Sequence, residues 1–183
     1  MDEDKSADVS GGTGMQLAST DSCFGQWRST KGGEMGYQSA MQERVEAVRL
    51  ALAVDVCSLY LALPETGELE LVASSGLDPE AMGARMTFSQ GLTGKVARTG
   101  QPVVARLVAD HPDYHHVANS GEERFKSYLG IPLRNDDQLI GVLVIQTVIA
   151  KSFFHNDIRE LHRAGRDVRE ALLARQGIAG ITG

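Results

Sequence analysis

Apolar residues change their spacing along the chain, and each change predicts an element. Met41, Val45, Val48 and Leu52 recur at intervals of 4, 3 and 4, the apolar stripe of an amphipathic helix. Glu43, Arg44, Glu46 and Arg49 fall on its opposite face. The period then drops to two. Cys57, Leu59, Leu61 and Leu63 form one face of a strand, and Val56, Ser58 and Tyr60 form the other. Pro64-Glu65-Thr66-Gly67 reads as a turn, because proline presets φ and glycine supplies φ > 0. Leu69, Leu71 and Ala73 alternate with Glu68 and Glu70, so an antiparallel hairpin is predicted.

Beyond Ser75-Gly76 the elements shorten. Asp78 can cap a helical turn over Pro79–Met82, with the proline at the first helical position. A short strand is expected over Arg85–Phe88, a small helix from Gly91 to Thr99, and a strand at Val103–Ala105. Asp110 to Glu123 is polar and irregular, the longest internal loop. Ser127–Leu133 and Gln138–Thr147 alternate as strands around Arg134-Asn135-Asp136-Asp137. The second of these is apolar on both faces, so it is expected at the centre of the sheet. Phe154, Ile158, Leu161, Gly165, Val168 and Leu172 form a heptad-like seam for a last helix beginning near Asn156. Antiparallel strands flanked by terminal helices read as α+β with one twisted sheet.

Outside this span the pattern lapses. Residues 1–36 are rich in Gly, Ser and Thr, their apolar residues have no period, and they are expected to form a poorly ordered tail. Residues 37–175 are the domain, and 176–183 form a second tail.

Composition narrows the partners. The net charge is −6 with no basic stripe, which argues against nucleic acid. Leu139–Ala150, the longest apolar stretch, is too short and too interrupted to span a bilayer. The acidic Met-Asp-Glu-Asp start is unlike a secretory leader, so a cytoplasmic location is expected. Cys23 and Cys57 form no Cys-x-x-Cys unit, and Cys57 reads as a small buried hydrophobe.

Gly91-Leu-Thr-Gly-Lys-Val-Ala97 followed by Thr99-Gly-Gln-Pro-Val103, with Leu129-Gly-Ile-Pro-Leu133 and Leu139-Ile-Gly-Val-Leu-Val-Ile145, resembles the signature of GAF domains. The resemblance implies a GAF/PAS-like fold: a central antiparallel sheet of five or six strands, terminal helices on one face and a ligand pocket on the other. A narrower resemblance, in Val56–Leu61, Gly76–Ala81, His111-Pro-Asp-Tyr114 and Gly121-Glu-Glu-Arg-Phe125, is to the N-terminal GAF domain of the nitrogen-related phosphotransferase enzyme I. In that family the domain is implied to tune phosphotransfer in response to nitrogen metabolites. The 183 residues leave no room for a phosphoryl-accepting histidine domain or a phosphoenolpyruvate-binding barrel, so the chain is expected to be a free-standing relative or an excised piece.

The richest polar stretch is Asp110-His-Pro-Asp-Tyr-His-His116. It is read as a loop lining the pocket, with Asp110, His111 and Tyr114 as ligand-binding candidates. His111 and His115 have i, i+4 spacing, but Pro112 argues against a helix and no third ligand follows, so no metal is expected. Arg124 is either a carboxylate clamp or the partner of Glu122, Glu123 or Asp110. Tyr60, Phe88 and Tyr128 are walls with polar tips or simply core, and Ser127 completes the set. Gly91–Gly94 lacks the ending of a P-loop, and Lys95 alone does not indicate a nucleotide.

These observations predict a non-catalytic sensor that binds a small molecule and needs no cofactor. It is expected to form a homodimer through its N- and C-terminal helices and to act on a signalling or phosphotransferase partner. The alternative is a ligand-free dimerisation scaffold. A free methionine-(R)-sulfoxide reductase is disfavoured, because no cysteine follows Cys57. A cyclic-nucleotide GAF domain is disfavoured by a partial motif, Gln146, Lys151, Phe153 or Phe154, and Asp157 followed by Ile158.

Overall fold

The computed structural model describes residues 31–114 and 124–175. Its elements are helix α1 (Lys31–Ala51), strands β1 (Val56–Leu63), β2 (Glu68–Ser75) and β3 (Arg85–Thr87), helix α2 (Gly91–Thr99), strands β4 (Val103–Ala105), β5 (Ser127–Asn135) and β6 (Gln138–Thr147), and helix α3 (His155–Arg175). The strands form one sheet in the order β3-β2-β1-β6-β5-β4, and every neighbouring pair is antiparallel. The predicted α+β architecture is the observed one.

Strand alternation splits the interior in two. Leu59, Leu129, Leu143 and Ile145 point toward α1 and α3, where they pack with Met41, Val45, Val48, Leu161, Val168 and Leu172. Tyr60, Tyr128, Val142 and Val144 point the other way, toward Leu92, Val96 and Ala97 of α2. β6 is buried on both faces as its unbroken apolarity predicts, because it lies between β1 and β5 with helices above and below.

The local signals hold in detail. Asp78 accepts from the Glu80 N–H and caps the single 3-10 turn Pro79–Ala81. Gly100 ends α2 with φ 63°, a left-handed cap that glycine adopts without strain. Gly165 lets α3 settle on the sheet, since a Cβ there would lie 2.8 Å from Leu143 Cδ2.

Two expectations need revision. Helix α1 begins at Lys31, well upstream of the Met41 stripe and inside the segment assigned to the tail. Its first turns contain Gly32, Gly33 and Gly36 and carry no apolar period, so the pattern could not announce them. Phe154 was placed in the α3 seam but is 69 % exposed, whereas Phe153 is 6 % exposed and joins the core. Phe154 precedes the first helical residue. Its N–H donates to Asp157 Oδ2 and its carbonyl accepts from Ile158, which is capping geometry.

Candidate functional site

The face of the sheet opposite the terminal helices is covered by α2 and by the segment through residues 107–114. Gly91 and Gly94 make the α2 entry possible: Gly91 has φ 61°, and a Cβ on Gly94 would lie 2.7 Å from the Phe88 carbonyl oxygen. That close approach brings Thr93 over the sheet, where Tyr128 donates its hydroxyl to Thr93 Oγ1 at 3.2 Å in a buried setting. Gly130 leaves room for this reach, since a Cβ there would fall 2.3 Å from the Tyr128 hydroxyl.

Tyr60 and Tyr128 lie together in the cluster under α2, and Phe88, Met86 and Tyr114 pack at its edge. The segment that delivers Tyr114 is fastened at both ends. The Val108 N–H donates to the Lys126 carbonyl at 2.7 Å, and Val108 is itself buried in the cluster. Further along, His111 Nδ1 accepts the Asp113 N–H at 3.2 Å, and the Tyr114 N–H donates to the His111 carbonyl at 2.9 Å. Lys95 on α2 donates to Asp113 Oδ2 at 2.6 Å, with Arg98 at 3.8 Å from the other carboxylate oxygen. The Lys95 hydrogen bond holds the Asp113 carboxyl below the usual carboxylate range, with His111 and Arg98 adding to the effect.

The candidate residues therefore divide. Tyr60, Phe88, Tyr114 and Tyr128 come together on the α2 face, with His111 beside them in the fastened turn. Asp110 ends a 3-10 turn and is exposed. Arg124 donates from Nη2 to the Gly76 carbonyl at 2.8 Å and stacks over Phe125 at 4.7 Å. Ser127 shares the strand face of Leu129 and Ile131, on the helix side. Its hydroxyl bonds the Arg106 and Ile149 carbonyls and accepts the Lys151 N–H, tying three segments at the end of the sheet. His115, His116, Glu122 and Glu123 lie outside the described residues.

Sequence reasoning missed Thr93 and the Lys95–Asp113 pair. Asp113 lies inside the His-Pro-Asp-Tyr block, but its partner is 18 residues away on another element. The partial cyclic-nucleotide motif is divided too. Lys151 pairs with Asp157 at 3.8 Å and lies over the Phe153 ring, at the end of the sheet. Gln146 belongs to β6 and is buried.

Cys57 is fully buried on the helix side, and burial pushes its thiol up to about 12 despite the opposing influence of Arg49. It is therefore a neutral packing group at neutral pH. No cluster of three metal-binding side chains occurs among the described residues, and no helix there is long and apolar enough to cross a membrane.

The GAF domain family model matches residues 36–171. The chain belongs to the GAF domain family. A phosphoenolpyruvate-dependent phosphotransferase system protein of Escherichia coli (strain K12) is 34 % identical over 101 residues, which is 55 % of this chain and 14 % of that protein. A Nif-specific regulatory protein of Azospirillum lipoferum is 29 % identical over 138 residues, 71 % of this chain and 22 % of that protein. This GAF domain thus spans less than a quarter of either relative. The GAF domain from a phosphoenolpyruvate-protein phosphotransferase of Coxiella burnetii superposes with a TM-score of 0.72 at 28 % identity, covering 77 % of this chain and 84 % of that one.

Proposed function

We propose that this GAF domain is a non-catalytic regulatory module that binds a small metabolite between its sheet and the α2 face and transmits occupancy to α1 and α3. The observation that carries the reading is the alternation of β1, β5 and β6 between two clusters. Tyr60, Tyr128 and Val144 face α2, while their immediate neighbours Leu59, Leu129, Leu143 and Ile145 hold the terminal helices. A ligand that displaces the first set moves strands whose other face seats the second. Such a ligand shifts the helices only by its differential affinity for two arrangements.

The similarity to phosphotransferase and Nif-regulatory proteins favours a metabolite linked to nitrogen status, an amino acid or a 2-oxo acid, and a phosphotransferase or signalling partner. A cytoplasmic placement accompanies that reading. The buried, protonated state of Cys57 supports a binding role over thiol chemistry. Homodimerisation through α1 and α3 is supported by the open groove of about 610 Å3 between them, where Ala47, Ala171 and Ala174 form a low floor between Glu43, Arg44, Asp167 and Glu170. Small residues flanked by both charge signs suit a self-complementary helical seam.

A thermal-shift screen of amino acids, 2-oxo acids and cyclic nucleotides tests the proposal. A ligand at one hundred times its dissociation constant adds about 2.7 kcal/mol to the folded state. An unchanged melting temperature across the whole panel would favour the scaffold reading instead.

A further inference from the structure

Strand β2 is held differently along its two halves. Glu68–Glu70 pair with β3 on the outer side, and at Leu71 the N–H bonds the Ala84 carbonyl while the carbonyl accepts the Gly83 N–H. Past Leu71 no strand lies outside β2 among the described residues. The pairing with β1 also changes there: Tyr60 opposes Leu71 and Leu59 opposes Ala73, so Val72 is an extra residue. Val72 joins Ala73 in the cluster under the terminal helices. Such a bulge interrupts the ladder and lets a strand bend. The end of β2, at Ser74 and Ser75, is thus attached to the sheet through β1 alone.

Helix α1 supplies what a further strand would. Gln42 donates from Nε2 to the Ser74 carbonyl at 2.7 Å, and its Oε1 accepts the Ser74 N–H at 3.2 Å. A carboxamide carries the donor and acceptor of a peptide group, so one side chain satisfies both main-chain groups that the edge leaves open. Seven residues further along α1, Arg49 donates from Nε to the Ser75 hydroxyl at 2.8 Å. Residues seven apart share a helix face and stand about 10 Å apart along the axis. Polar bonds from one face of α1 therefore converge on adjacent residues of β2.

Ser74 is also tied to the opposite side of the sheet. Ser58 lies directly opposite Val144 and two residues before Tyr60, and both belong to the α2-side cluster, so its side chain is on that face. Ser58 opposes Ser74, and their hydroxyls bond each other at 2.8 Å. Ser58 is only 1 % exposed, so water cannot replace this bond at its hydroxyl. Ser74 takes its side-chain bond from the α2 side and its outer main-chain bonds from α1.

We propose that Ser58, Ser74 and Gln42 form a relay that couples the α2-side face of the sheet to the position of α1, with the bulged end of β2 as the moving part. The inference rests on the sensor reading above and names its route to α1. A displacement of Ser58 on the α2 side carries Ser74 with it, and Gln42 follows through its two bonds. The bulge at Val72 absorbs the movement, so Glu68–Glu70 keep their pairing with β3.

The test uses the full chain, labelled with 15N, as Ser58→Ala, Gln42→Ala and the double variant. Ser58 and Gln42 bond Ser74 but not each other. In urea unfolding, the equilibrium constant of the double variant departs at least threefold from the product of the two single effects, whereas independent sites agree within roughly twofold. In the folded chain, Ser58→Ala shifts the Gln42 side-chain amide and the main-chain amides of Val45 and Val48. In the Gln42→Ala background the shifts at Val45 and Val48 are lost, while the shift at Val144 persists. Gln42→Glu keeps an acceptor for the Ser74 N–H but loses the donor, gives the same loss, and stands in should Gln42→Ala fail to fold. Additive stabilities, or shifts at Val45 and Val48 that survive replacement of Gln42, would overturn the relay. Either result leaves the sensor reading standing, because the metabolite screen judges that reading separately.

Discussion

The same chemical change, glycine to alanine inside a helix, is expected to have opposite effects at two positions of this fold. At Gly36 in α1 an added Cβ meets no atom within 4 Å. Gly36→Ala therefore gains only the helix propensity difference, about 0.5–1 kcal/mol of added stability. At Gly94 in α2 the added Cβ falls 2.7 Å from the Phe88 carbonyl oxygen and 2.8 Å from that of Thr87. Both are backbone atoms, so no side-chain rotation relieves the clash, and α2 must retreat by roughly half an ångström. Its buried residues Leu92, Val96 and Ala97 stabilise the domain by about 4–6 kcal/mol through contact with the sheet. A gap of that size forfeits a quarter to a half of such contacts, about 1–3 kcal/mol. It also strains the hydrogen bond from Arg98 to the Phe88 carbonyl. After the propensity gain is subtracted, Gly94→Ala is expected to destabilise by up to about 2 kcal/mol. Equilibrium urea unfolding of both variants gives the comparison, read as midpoint shifts of opposite sign at unchanged slope. A Gly94→Ala variant as stable as Gly36→Ala would refute the claim that α2 is docked by this close backbone approach.

Further outcomes follow from single observations. Leu129→Ala and Leu143→Ala, both at fully buried positions under the terminal helices, should each cost about 2–5 kcal/mol in the same assay. Cys57 should resist iodoacetamide at pH 8 until denaturant unfolds the chain. Its folded pKa is raised, so its contribution to stability is fully present below the ordinary thiol value of 9.0 and declines as pH rises toward about 12. Asp113→Asn should increase hydrogen exchange at the Tyr114 amide, which bonds the His111 carbonyl, while leaving the Val108 amide unchanged. The folded Asp113 carboxyl is shifted down, so the wild-type turn should loosen only as pH falls through the carboxylate range, and high salt should have a similar effect because the pair is partly exposed. Ser127→Ala should weaken the junction of residues 106, 149 and 151, with faster exchange at the Lys151 amide and no change in binding on the α2 face.

Most of the fold was legible because local and tertiary preferences agree. The β6 pattern predicts a strand buried on both faces, and Asp78-Pro79 and Gly100 punctuate their helices as their chemistry requires. The start of α1 was not legible, because Gly32, Gly33 and Gly36 have low helix propensity and the sequence there shows no apolar period. Phe153 and Phe154 could not be told apart by spacing alone. The capping bond from the Phe154 N–H to Asp157 chose between them, and a one-residue shift turns a side chain by about 100°. The candidate site was only partly legible. Tyr60, Phe88 and Tyr128 could be nominated as aromatic walls and Tyr114 as part of the polar loop, but Ser127 was misleading, because strand parity places it with Leu129 on the helix side. The Lys95–Asp113 and Tyr128–Thr93 pairs join residues 18 and 35 positions apart, and no periodicity reports such contacts.

The most direct test of the account is an amide chemical-shift titration of the 15N-labelled chain with the metabolite panel. The account predicts saturable shifts at Tyr60, Tyr128 and Val142, beneath α2, with the same midpoint as smaller shifts at Val45 on α1 and Leu161 on α3. Shifts confined to the groove between α1 and α3, with the α2 face silent at every concentration, would contradict it.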